Sequence, residues 1–391
     1  MNDIKSAYDQ RAHAATIGVP SEGWLSHSRR VICRPMFSPY HLPFLIRYLD
    51  GVDLAVANRM LRRVPPSEPT LTEEFCALMD PENQRRERSL TFSADDLNTA
   101  LAAHGDMIDA EFTIETHQHS PRMEAYVSQS DFALILEFVH TVLPTESWSA
   151  AYLMQAKRLF PATGGGWNVG SKFASTSKDQ QKRLSALARI LGERALRYCL
   201  YCIPVPAYEA RSLGALRALH MRAFSSMIFD YPLGLALHDE IKRSGGVDAG
   251  MWITATKEPP TTAADLHNRA FQSYDVRNFR DSVAEPTDVA LRSTSPLTWF
   301  ILHHLDGDRA GNGIALNSTR TTSAASVERV RAIGSGDPKA AQALIDELAK
   351  EARSADFDPE TMKVLPASSV TIRLRVGPPD GIDLPLSTRS D

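Results

Sequence analysis

The sequence predicts an α/β protein: a mixed central sheet flanked by helices, with a helical N-terminal region and an α+β C-terminal region. Three observations predict it. Between about 93 and 206 the apolar residues alternate between the two-residue period of a strand and the 3.6-residue period of a helix. The order of elements there is helix, strand, strand, strand, helix, strand. Short connections suit antiparallel hairpins, whereas the one helical crossover suits a parallel pair, so the sheet is expected to be mixed. The chain of 391 residues, 43% apolar and 23% charged, has ample material for a core.

Residues 1–90 read as helical and loop-rich, with proline clusters at 35–43 and 65–69. A helix then starts at "SADDLNTALAAHG", with Ser93 as N-cap, Asp96 completing a capping-box pattern and Gly105 as its stop. "EFTIETHQH" alternates and reads as a strand. "DFALILEFV" is a nearly continuous apolar strand, and "SAAYLMQAK" is the next. After a Gly- and Ser-rich loop, "KDQQKRLSALARILGER" places Leu184, Leu187, Ile190 and Leu191 at helical spacing, and "LRYCLYCIPV" closes the run as a strand.

This sets expected boundaries at 1–90, 91–206 and 207–391. In the last region helices are expected near 208–224, 230–244, 262–273 and 338–353, the last with Asp337 as N-cap and Pro338 at N1. Residues 306–326 read as a long polar loop, and "SVTIRLRVG" as a half-buried strand.

Charge is unevenly placed although the formal net charge is only -4. Residues 101–150 carry Asp106, Asp109, Glu111, Glu115, Glu124, Asp131, Glu137 and Glu146 against a single base, Arg122. The next fifty reverse this, with Lys157, Arg158, Lys172, Lys178, Lys182, Arg183, Arg189, Arg194 and Arg197 against Asp179 and Glu193. An acidic block beside a basic block suits a cation pocket next to a phosphate-binding surface, or two solvated faces.

Four cysteines argue against a disulfide framework. Cys199 and Cys202 form a CxxC on a strand, where residues three apart face opposite ways and cannot easily share a metal. His117 and His119 share a strand face and could bind a metal, but read more readily as a solvated strand end, and His303 and His304 read as divergent neighbours. No Gly-Lys-Ser/Thr follows the glycines at 164–166, and neither G-x-S-x-G nor H-E-x-x-H occurs. The N-terminal residues have no apolar core and no run reaches membrane-spanning length, so a soluble, cytoplasmic protein without a membrane partner is expected.

The chemistry centres on "YLMQAKRLF". A strand's period of two puts Gln155 and Lys157 on one face, with Met154 and Ala156 on the other. Asp131 opens the preceding strand. If the two strands are antiparallel neighbours, Asp131, Gln155 and Lys157 converge at one edge of the sheet. Such a set suits phosphodiester hydrolysis, in which a carboxylate and a second oxygen hold Mg²⁺ and a lysine polarises water and stabilises developing charge. Lys157, at a strand end, is expected to lie outside the core.

The segments "SDFALILEF" and "YLMQAKRL" resemble the PD-(D/E)XK nuclease superfamily, most closely its Mrr-like branch, in which the motif reads QxK after a strand. The resemblance covers about 93–206 and implies a restriction-endonuclease-like core. It implies Asp131, Gln155 and Lys157 as the catalytic set and Asp131, Gln155 and Glu124 as metal ligands, with Gln180 or Gln181 lining the cleft. The reading adds Arg158, Lys172, Lys178, Gln181 and Lys182 as nucleic-acid contacts. The implied activity is Mg²⁺- or Mn²⁺-dependent cleavage of DNA in bacterial restriction or anti-phage defence, as a homodimer or part of a larger complex. Glutamine is a weaker Mg²⁺ ligand than glutamate, so affinity should be low unless Glu124 or Glu115 contributes. The rival expectation is a nuclease fold without a metal site, serving as a nucleic-acid-binding or scaffold component.

Overall fold

The computed structural model describes residues 41–88, 90–103, 109–118, 131–141, 147–163, 166–175, 178–204, 250–255, 259–272, 294–305, 324–352 and 366–377. Helices α1 (Leu42–Met60), α2 (Glu68–Met79), α3 (Pro81–Glu87) and α4 (Ala94–Ala103) precede the first strands. The cap expected for α4 is present: Ser93 N donates to Asp96 Oδ2 at 2.9 Å and Asp96 N to Ser93 Oγ at 3.2 Å.

Strands β1 (Asp109–Gln118), β2 (Phe132–His140), β3 (Trp148–Phe160) and β4 (Lys172–Phe173) come next. Helix α5 (Lys178–Leu191) crosses over to β5 (Leu196–Tyr201). The remaining elements are β6 (Met251–Ala255), α6 (Ala263–Gln272), β7 (Thr294–Pro296), α7 (Leu297–Leu305), α8 (Ala324–Gly334), α9 (Pro338–Ala352) and β8 (Ser368–Gly377).

The strands form one mixed, open sheet in the order β1-β8-β2-β3-β5-β6-β7, with β4 paired to β3. The pairs β2/β3 and β5/β6 are antiparallel, and β3/β5 is parallel, as a helical crossover requires. The C-terminal strand is the departure from the expected consecutive order. β8 lies between β1 and β2, antiparallel to the first and parallel to the second. The sheet therefore draws strands from 91–206 and from 207–391.

Helices cover both faces. One face packs under α1, α2, α4 and α7, around Phe75, Phe112, Phe132, Tyr152 and Trp252. The other packs under α5, α8 and α9, around Ala133, Ile135, Leu153, Leu187 and Leu344. Double coverage explains why β2 is a continuous apolar run. At Gly334 a Cβ would come within 2.9 Å of the Ala133 Cβ, so only glycine lets α8 end this close to β2.

The acidic block finds its bases in the C-terminal part of the chain. Glu137, nearly buried on β2, accepts from Arg331 and, at 2.7 Å, from Arg373; Glu115 and Glu111 pair with Arg373 and Arg375 across β1/β8. Glu115 is thus committed to Arg373 and does not reach the end of β3.

One sequence expectation is corrected, and two elements had no sequence signal. The polar stretch 306–326 was expected to be loop, but α8 begins at Ala324. The strand β6 and the helix α7 were not expected. Both are short and apolar, so neither shows a period that separates strand from helix. The helices expected near 208–224 and 230–244 lie outside the described residues. Among the described residues, no helix is long and apolar enough to cross a membrane.

Candidate active site

β2 begins at the end of its ladder with β3, which itself stays paired with β5 as far as Arg158. Asp131 N still donates to Met154 O at 2.7 Å, and Phe132 is paired with Met154. One residue further along β3, the neighbour on the β2 side is the Asp131 side chain. Its Oδ2 accepts from Ala156 N at 2.7 Å and from Gln155 Nε2 at 2.5 Å. The carboxylate thus closes the open end of the ladder.

Gln155 and Lys157 share a face, as the alternation predicts, and it is the face under α5. Lys157 Nζ donates to Gln180 Oε1 at 3.2 Å. Of the two glutamines left open by the sequence, Gln180 meets the lysine and Gln181 is exposed. The expectation that Lys157 lies outside the core is corrected: it is only 7% exposed, as is Gln155. The cause is α5, whose first turn lies over the end of β3 and shields what would otherwise be a solvated strand end.

The surroundings of Asp131 raise its affinity for a proton or a cation. Burial, and secondarily the charge of Glu68, push its carboxyl up to about 6, while the bond from Ala156 N, the charge of Lys157 and the bond from Gln155 pull the other way. The Gln155 Oε1 atom is buried without a hydrogen-bond partner. An unpaired buried amide oxygen costs about 1–3 kcal/mol. The Ala156 carbonyl lies 3.5 Å from Gln155 Nε2. The donor set at this corner is therefore a carboxylate, an unsatisfied amide oxygen and a backbone carbonyl. All are hard oxygen ligands of the kind that suit Mg²⁺, which usually takes only one or two protein carboxylates.

Sequence reasoning missed Glu68. It is the first residue of α2, after the N-cap Ser67, and its Oε1 accepts from Arg158 N at 3.0 Å. Its charge acts on Asp131 from a helix that lies well before β2 in the chain. The local sequence "PPSEPT" signals a helix start, but nothing in it signals the end of β3.

Arg158, read from the sequence as a nucleic-acid contact, has an internal role. Its guanidinium donates to the carbonyls of Pro65 and Pro66 at 2.9 and 2.7 Å and lies 4.2 Å from the Phe160 ring centroid. It ties α2 to β3. Lys172, Lys178, Gln181 and Lys182 are exposed, the last three on one side of α5. Glu124 and His119 lie outside the described residues, and His117 is exposed at the end of β1. Cys199 and Cys202 are buried free thiols, both pushed up by burial. Among the described residues, no group of three or more His, Cys, Asp or Glu side chains is gathered for a metal, so the acids at this corner number two, Asp131 and Glu68.

No protein-family model, curated protein or solved structure matches this chain.

Proposed function

We propose that the protein is a Mg²⁺- or Mn²⁺-dependent nuclease that hydrolyses DNA phosphodiester bonds. The observation that carries this reading is the convergence of Asp131, Gln155 and Lys157 at the end of an antiparallel pair, with a buried, unsatisfied amide oxygen beside a carboxylate. Asp131 and Gln155 would hold the ion, helped by the Ala156 carbonyl, with Glu68 as the nearby second acid. Bound there, the ion would neutralise the scissile phosphate and lower the pKa of a coordinated water.

The chain's own residues supply the rest. Lys157 is held by Gln180 at a fixed height above the sheet, where its charge can orient a water and stabilise negative charge on the phosphoryl oxygens. Exposed Lys172, Lys178 and Lys182 neutralise flanking phosphates without reading sequence. A role in bacterial restriction or anti-phage defence, as a homodimer or within a larger complex, follows from the Mrr-like resemblance alone.

The second reading, a nucleic-acid-binding or scaffold protein without catalysis, is favoured by one observation. In this structure the carboxylate of Asp131 is already engaged by two donors. Incubating the purified chain with linear and supercoiled DNA, with and without Mn²⁺, separates the two. Metal-dependent strand scission that is lost in Lys157→Met supports the nuclease. DNA binding without scission in any divalent ion leaves the scaffold reading.

A further inference from the structure

The hairpin formed by β3 and β4 leaves one large apolar side chain in water. Phe160, the last residue of β3, is 37% exposed, whereas Leu159 beside it and Phe173 across the hairpin are buried. A lone exposed phenylalanine is ordinary. This one is backed and flanked by positive charge. The Arg158 guanidinium lies 4.2 Å from the ring centroid, and its Nη1 donates to the carbonyls of Pro65 and Pro66 at 2.9 and 2.7 Å. Lys172, exposed on β4, is the cross-strand partner of Phe160 and shares its face.

An arginine tied down by two carbonyls holds the ring from one side by cation–π attraction, so little side-chain freedom is left to lose when a ligand settles on the exposed part. An aromatic surface set between two cations suits a nucleotide. The base stacks on the ring, whichever base it is, and Lys172 meets the phosphate charge.

A base inside a duplex has both faces covered by its neighbours, so the ring can take only a base that is unpaired and splayed out. The position of the ring favours the same substrate. Alternation puts Phe160 on the opposite side of β3 from Lys157, about 10 Å further along the strand. A nucleic acid that reaches both must turn around the end of β3. A single strand bends that sharply, whereas a duplex is stiff over roughly 150 base pairs.

We propose that Phe160, backed by Arg158, is a stacking platform for an unpaired base of single-stranded DNA. This deepens the nuclease reading and rests on it for the choice of nucleic acid, but binding in EDTA tests the platform apart from cleavage. The full chain is titrated at one salt concentration with a labelled single-stranded oligodeoxynucleotide, its duplex and an abasic strand of the same length, and followed by fluorescence anisotropy. The wild type should bind the single strand more tightly than the abasic strand. Phe160→Leu should bind the single strand at least about 5-fold more weakly, the loss of one stacked base, and bind the duplex and the abasic strand as the wild type does. Phe160→Trp should keep the single-strand affinity, and melting curves of both variants report that they are folded. Three results would overturn the proposal: no single-strand binding by the wild type, equal single-strand affinity in folded Phe160→Leu, or an equal loss on the abasic strand. Scission assayed separately in Mn²⁺ reports on the nuclease reading alone. If scission is absent while the Phe160→Leu difference stands, that reading falls and the platform remains.

Discussion

Replacing Asp131 by asparagine should stabilise the protein at neutral pH. The Asp131 carboxyl has its pKa raised from 3.8 to about 6 in the folded state, mainly by burial. The folded protein therefore holds this proton more tightly than the unfolded chain does. The contribution to stability is greatest below about pH 4, falls as the pH rises through 6, and stays low above it. Two pKa units correspond to about 3 kcal/mol, and residual solvent contact at a half-buried group reduces this to roughly 1–2 kcal/mol. Asparagine keeps an oxygen for Ala156 N and Gln155 Nε2, removes the charge, and brings an N–H₂ donor to a corner where Gln155 Oε1 has no partner.

The assay is chemical denaturation of both proteins in EDTA from pH 4 to 8, read as the difference between them. The variant should be the more stable at pH 7, with the gap closing toward pH 4. Adding Mn²⁺ should then raise the stability of the wild type and leave the variant unchanged. A variant that is equally or less stable at pH 7 in EDTA would refute the electrostatic argument.

Gln155→Glu should lose stability in EDTA near neutral pH, because two carboxylates then meet with no cation between them, and should gain more from Mn²⁺ than the wild type does. Melts that are indifferent to Mn²⁺ in both proteins would remove the metal from the account. Lys157→Ala should reduce stability by about 1–2 kcal/mol, because the side chain is buried against Gln180, and should lower any cleavage at least ~10²-fold. Unchanged cleavage by the folded variant would exclude a catalytic lysine. His304, held near 4 against an ordinary 6.5, contributes stability that is lost as pH falls from about 6.5 to 4, on the order of 3 kcal/mol. His304→Gln should flatten that slope in pH-dependent denaturation, and an unaltered slope would contradict the assignment of a buried neutral imidazole.

Much of the sheet was legible in the chain. The alternation in β1 and β8, the apolar run of β2 and the helical spacing of α5 each reflect a local geometric period, and the caps at Ser93 and Asp337 are contacts between residues two or three apart. The parity of Gln155 and Lys157 is likewise local, and so is the prospect of Asp131 beside them once β2 and β3 are taken as an antiparallel pair. Neighbours across a short connection need no knowledge of the rest of the fold.

Tertiary structure decided what depends on distant partners. The insertion of β8 between β1 and β2 brings together segments more than 200 residues apart, and its free energy lies in burying Val370, Ile372, Leu374 and Val376 rather than in any local preference. The same insertion pairs Glu111, Glu115 and Glu137 of the acidic block with Arg373 and Arg375, where the sequence suggested a cation pocket or a solvated face. Glu68 reaches the candidate site only because α2 packs on β3, and Arg158 turns inward for the same reason. Burial of Lys157 follows from the position of α5, and burial is a property of the assembled layers. Periodicity reports which way a side chain points along its own strand, and only the packed sheet determines what waits there.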